Sequence, residues 1–155
     1  MKKMSVNTIW KPIKELYPDY IILVKIGKFY SVYNKDAYII SYILKYQLKK
    51  ENGKQDIKWS CGFPDMAINK VKSILEEKKI NYIIIDRRNN YDEEEKINNK
   101  NLNNYSKILE KARVYANNKI RLENIYNYFI ENINENDTKL LLIEMENKIN
   151  ERREI

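Results

Sequence analysis

Apolar positions along the chain change period several times, and each change predicts an element. Residues 5–17 place Ile9, Ile13 and Leu16 at helical spacing ahead of Pro18, which predicts a short lead-in helix. Residues 20–24 are all apolar or aromatic, and Lys25 and Ile26 complete a strand over 20–26. Gly27-Lys28 suits a two-residue type II′ turn, so residues 29–33 return as the second arm of a hairpin. Asn34 stands where it would cap a helix over 35–44, with Ala37, Ile40 and Leu44 on one face.

Two further strands are expected at residues 46–51 and 57–61, joined by a polar loop at 52–55. Gly62-Phe63-Pro64 reads as a chain break. Asp65 then caps a helix reaching about Lys79, with Ile68, Val71, Leu75 and the stem of Lys78 inward. Residues 82–85 form a short buried strand. Residues 89–104 are polar, include an acidic run at 92–95, and read as a linker.

Beyond it everything is helical. Leu102, Tyr105, Leu109, Ala112 and Ala116 start one stripe, and Leu122, Ile125, Phe129 and Ile133 continue it with no Gly or Pro between. Asn136 or Asp137 caps a last helix carrying Leu141, Met145 and Ile149. The expected architecture is α/β: a single mixed β-sheet with flanking helices over residues 1–90, a polar linker over 91–100, and a helical hairpin over 101–155.

Composition narrows the chemistry. The chain has 155 residues, no His, one Cys and three Gly. A His-based triad, a His-containing zinc site and a disulfide framework are therefore excluded. The glycines satisfy neither the dinucleotide-binding nor the P-loop spacing, so no cofactor is implied. The acidic run at 92–95 offers consecutive carboxylates pointing in different directions, which suits solvation better than a metal site. The lone Cys61 reads as a small apolar residue, and Trp10, Trp59, Tyr30 and Tyr33 as packing anchors. The reading is non-enzymatic. No stretch has the length and apolarity of a membrane span, and Met1-Lys2-Lys3 is not followed by an apolar run, so a cytoplasmic location with no membrane partner is expected.

Charge is unevenly placed. The net is +7, yet residues 1–90 hold 18 Lys and Arg against 9 Asp and Glu, while residues 91–155 hold 11 against 13. A basic domain of this kind suits a polyanion, because cations set against phosphates release counterions. Lys25, Lys28, Lys49, Lys50, Lys54 and Lys58 cluster around the two predicted hairpins and would form a phosphate-facing patch if the hairpins share one end of the sheet.

The run Tyr17-Pro-Asp-Tyr-Ile-Ile-Leu-Val-Lys-Ile-Gly-Lys-Phe-Tyr-Ser-Val-Tyr-Asn-Lys-Asp-Ala37 resembles the opening of the MutS mismatch-repair family. That family carries P-[DE]-x-[IL]-L-[LF]-x-x-x-G-D-F-Y-E-[LM]-[FY]-x-x-D-A. Downstream, Cys61-Gly-Phe-Pro64 resembles its [CA]-G-[VIF]-P turn. The resemblance covers residues 9–88 and implies the N-terminal mismatch-recognition domain, which enters the minor groove of DNA. By that resemblance Phe29 is the wedge beside a mispaired base, and Ser31 occupies the place of the Glu that bonds to it. Phe29 and Ser31 are two apart on a strand and share a face.

Two departures qualify what the resemblance implies. Ser31 is neutral and shorter than Glu, and Lys28 replaces the motif Asp, so mismatch discrimination is expected to weaken while affinity for phosphate rises. The connector, lever, clamp and ATPase regions of a full MutS protein do not fit in 155 residues. The expected DNA-binding residues are Phe29, Ser31, Lys28, Lys25, Lys49 and Lys50, and the expected partner is double-stranded DNA, mismatched or distorted. The alternative is an interaction or oligomerisation module that reuses the fold without reading DNA, with a homodimer formed through the C-terminal helices.

Overall fold

A computed structural model describes residues 5–52, 56–86, 93–97 and 103–154. The helix α1 (Val6–Leu16) is capped by Ser5, whose hydroxyl accepts from the Thr8 N–H. The strands β1 (Ile21–Ile26) and β2 (Phe29–Tyr33) follow, then α2 (Lys35–Leu44), β3 (Leu48–Lys50) and β4 (Trp59–Pro64). A 3-10 turn at Asp65–Ala67 leads into α3 (Ile68–Glu77), β5 (Tyr82–Asp86) and β6 (Glu93–Ile97). The chain ends in α4 (Tyr105–Glu131) and α5 (Asn136–Arg153).

The six strands make one mixed sheet in the order β3-β4-β2-β1-β5-β6. Only β1 and β5 run parallel, with Ile22 opposite Ile83 and Val24 opposite Ile85; the other pairs are antiparallel. The single mixed sheet with flanking helices follows the expectation from pattern. Both central strands are apolar through most of their length because both faces are covered.

Strand alternation sorts the core. One face carries Ile22, Val24, Tyr33, Ile83 and Ile85, which pack with Ile9 and Trp10 of α1. Trp10 meets Tyr33 edge to face at 5.9 Å. The opposite face carries Leu23, Val32, Cys61 and Phe63, all buried, as are Ala37, Ile39 and Ile40 of α2 and Val71 and Leu75 of α3.

Several local expectations are corrected. In α1 it is Ile9 and Trp10 that are buried, whereas Leu16 is exposed, because the helix meets the sheet through the larger indole. Asn34 stands at the N-cap of α2, and its carbonyl accepts from the Tyr38 N–H, but its side chain makes no capping bond. Its backbone is left-handed at φ 54° and its side chain reaches outward, accepting from the N–H groups of Lys58 and Trp59 and donating to the Asp56 carbonyl. Gly62-Phe63-Pro64 is not a break but the end of β4, where Gly62 pairs with Ser31 and Phe63 with Tyr30. Asp65 makes no side-chain cap; its N–H donates instead to the Lys28 carbonyl.

The segment expected to be a polar linker contains β6, which extends the sheet beside β5. A strand this charged is stable at an edge because one side is paired and the other faces water, and charge there discourages further pairing. Glu95 pairs with Lys72 of α3 at 2.5 Å, and the Lys96 ammonium lies over the ring of Tyr17. Asp92 of the acidic run, Leu102 of the first helical stripe, and Gly53, Lys54 and Gln55 of the predicted loop lie outside the described residues.

The chain divides into two compact units, Met1–Ala116 and Asn117–Ile155, so the division falls inside α4. In the first unit, α4 buries Tyr105, Ala112 and Ala116. In the second, Thr138 is the one buried residue among those described; its hydroxyl donates to the Asn132 carbonyl at the turn before α5.

Candidate nucleic-acid interface

The β1–β2 hairpin turns at Gly27, whose φ of 61° is left-handed backbone that glycine adopts without a Cβ clash. Lys28 follows with negative φ, as a type II′ turn requires. The Asp65 N–H to Lys28 carbonyl bond, 2.8 Å, continues the β2–β4 ladder past the end of the strand and pins the turn. Phe29 begins β2 between Ile26 and Pro64, and 61 % of it is exposed. A large apolar ring held on a fixed turn yet left in solvent contributes little to the core.

Alternation puts Phe29 and Ser31 on the face that α1 covers further along, at Tyr33. Beyond the reach of α1 that face is open, and a cavity of about 500 Å³ lies there. Its lining includes Phe29 and Ser31 of β2, Ser60 and Gly62 of β4, and Lys49 and Glu51 from β3 and its end. Gly62 lies opposite Ser31 and leaves the floor as bare backbone; a Cβ there would stand 3.3 Å from the Tyr30 carbonyl. The Ser60 hydroxyl donates to the Glu51 carboxylate at 2.6 Å, and the Glu51 N–H donates to the Lys58 carbonyl.

The expected cationic residues divide between the faces. Lys49 is paired with Ser60 and shares the face of Phe29 and Ser31, and Lys28 stands exposed on the turn beside them. Lys25 is in register with Tyr30 and Asp86, and Lys50 with Trp59, so both lie on the opposite face. The period of two decides this: Lys49 and Lys50 are neighbours in sequence and cannot share a face of one strand.

Sequence reasoning passed over Glu51 and Ser60. Their signal was available in part, since Glu51 is two residues from Lys49 and Ser60 two from Gly62, but the pairing that joins them was not. It also gave no role to Asp36. That carboxylate is fully buried, accepts from the Lys14 ammonium at 2.7 Å, from the Tyr105 phenol at 2.7 Å and from the Ile22 N–H at 3.0 Å. Burial pushes the Asp36 carboxyl above its ordinary range, and the Lys14 charge only partly offsets this. Burial and the neighbouring Asp36 push the Tyr105 phenol up as well. This cluster ties α1, β1, α2 and α4 together and is structural.

The fold is a mixed sheet whose β1–β2 hairpin, pinned to the end of β4, holds an exposed aromatic residue beside an open depression. The family profile for MutS domain I matches residues 5–108, and the chain belongs to that family. No curated protein matches the chain. Among the described residues, no helix is long and apolar enough to cross a membrane.

Proposed function

We propose that the protein is a non-enzymatic, cytoplasmic double-stranded DNA-binding protein of the mismatch-repair kind. Phe29 enters the minor groove at a mispaired or distorted step. An aromatic wedge costs least where stacking is already poor, which directs it to such sites. Lys28 and Lys49 set charge against phosphates on either side, and Lys25 and Lys50 add to the general field of the basic domain. Ser31 lacks the carboxylate of the family motif, so discrimination between mismatched and perfect duplexes is shallow. The observation that carries the reading is the exposure of Phe29 on a pinned turn, in a domain of this family.

The experiment is a titration of perfect, mismatched and branched duplexes at two salt concentrations. Affinity falls steeply with salt, with a slope set by the phosphates neutralised. Phe29→Ala weakens binding to mismatched or branched duplexes more than to perfect ones. Equal loss on all substrates, or none, rejects the wedge.

The second unit is proposed to pair with a second copy of itself. Leu122, Ile125, Tyr126, Ile130 and Ile133 of α4 and its end, and Leu140, Leu141, Ile143, Met145 and Ile149 of α5, are all exposed. Large apolar side chains left in solvent on two successive helices suit a contact with a second copy. Arg121 near one end of this stretch of α4 and Glu131 near the other would meet in an antiparallel pair.

A further inference from the structure

We infer that a second cavity, between the end of α1 and the start of α2, binds a small carboxylate with a flat apolar body. The site is separate from the Phe29 edge and does not depend on the DNA-binding reading. The cavity holds about 300 Å³, at the lower end of the range of small-ligand sites, about 300–1,000 Å³. The Trp10 indole, the Tyr33 ring and Pro18 give it apolar walls.

Three features select an anion. Trp10 is 6 % exposed, and its indole N–H is buried with no hydrogen-bond partner. An indole N–H only donates, so the group that satisfies it is an acceptor. A buried donor left unmatched costs stability, which an incoming acceptor restores. The start of α2 is the second feature, since Asn34 and Lys35 line the cavity. The first N–H groups of a helix have no partner inside it, and that end favours negative charge. Asn34 stands at the N-cap but spends its amide on residues 56–59, so it does not fill this role. The third feature is Lys35 itself, which is exposed and makes no ion pair among the described residues.

The charge balance limits the ligand to one negative charge. Lys14 also lines the cavity, but its ammonium donates to Asp36, to the Tyr20 carbonyl and to the Tyr105 oxygen, which uses all three of its hydrogens. Glu15 adds a negative charge to the lining. Lys35 is then the cation left to meet a ligand. A carboxylate suits this balance, whereas a phosphate, at nearly two negative charges, overloads it.

The test uses the full chain, with benzoate as the probe. The protein has two tryptophans, and Trp59→Phe leaves the indole N–H signal of Trp10 alone in the proton–nitrogen spectrum. Benzoate moves that signal downfield and saturates with a Kd of about 1 mM or below. It also raises the melting temperature of the parent, because it binds only the folded chain. Benzamide, the neutral analogue, binds about fivefold more weakly. By calorimetry, Trp10→Phe removes the donor but keeps an aromatic wall, and weakens benzoate about tenfold. Lys35→Glu, at an exposed position, weakens it about fivefold and leaves the melting temperature unchanged. A Trp10 signal that benzoate does not move, benzamide binding as tight as that of benzoate, or equal affinity in Lys35→Glu overturns the site. Displacement of benzoate by an equal concentration of inorganic phosphate overturns the carboxylate assignment.

Discussion

The phenol of Tyr105, at the start of α4, donates a 2.7 Å hydrogen bond to the carboxylate of Asp36, near the start of α2. The two residues are 69 apart in sequence, and the Lys14 ammonium touches both. The first turns of α4 are thereby part of the α/β unit. Tyr105→Phe removes the donor while keeping the ring. It is expected to lower unfolding free energy by about 2 kcal/mol, the scale of a hydrogen bond to a charged group. Urea denaturation measures the loss, and hydrogen exchange should show faster opening at the N-terminal end of α4.

Asp36 also gives the fold a pH dependence of defined sign. Its carboxyl is raised above its ordinary value, with burial the main cause and Lys14 opposing. Between the unfolded and folded values the native state holds the proton more tightly. The contribution of this group to stability is therefore fully present below the unfolded value of 3.8 and is lost as pH rises through the folded one. Asp36→Asn abolishes this trend. The difference in stability between parent and variant, followed by denaturation from acid toward neutral pH, should shift against the parent as pH rises.

Gly27 holds the turn that presents Phe29. Gly27→Ala forces a side chain into left-handed backbone and is expected to cost about 1–2 kcal/mol. Phe29→Ala, at an exposed ring, is expected to change stability by less than about 0.5 kcal/mol. Melting curves of the two variants separate the residue that shapes the hairpin from the one the hairpin presents.

Ser31→Glu returns the carboxylate of the family motif to the face of Phe29. Affinity for perfect duplex is expected to fall, because a negative charge is added near phosphates. The preference for mismatched over perfect duplex is expected to rise by about tenfold, the worth of one charge-assisted hydrogen bond. Competition binding with the two duplexes reads both changes at once.

The apolar surface of the second unit predicts self-association. Light scattering of the full chain should give the mass of a dimer, and a chain ending at Ala116 should give a monomer. Ile125→Lys with Leu141→Lys should reduce the full chain to a monomer without changing the hydrogen exchange of the β1–β5 core. A monomeric full chain would reject the proposed pairing.

The hairpin at Gly27 and the strands at Phe29 and Tyr82 were legible in the chain because the information that specifies them is local. A left-handed turn residue, an apolar run and a two-residue period each act over a few positions. Phe29 and Ser31 share a face for the same reason. Asn34 shows where local reasoning ends. Its side chain suits a helix cap, but residues 56–59 offer it better partners across the turn. At β6, a run of carboxylates reads as solvated linker because nothing local reports the open edge of β5.

The order of helices and strands through β5, the basic character of residues 1–90 and the MutS resemblance around Phe29 were all determined by sequence, since propensity, charge and motif belong to the chain itself. Tertiary structure alone decided which lysines face with Phe29, that Glu51 and Ser60 meet beside it, and that Asp36 is buried against Lys14 and Tyr105. Each of those depends on strand register or on contacts between distant segments. Register is set by how the whole sheet closes over its core, and no single stretch of the chain carries that information.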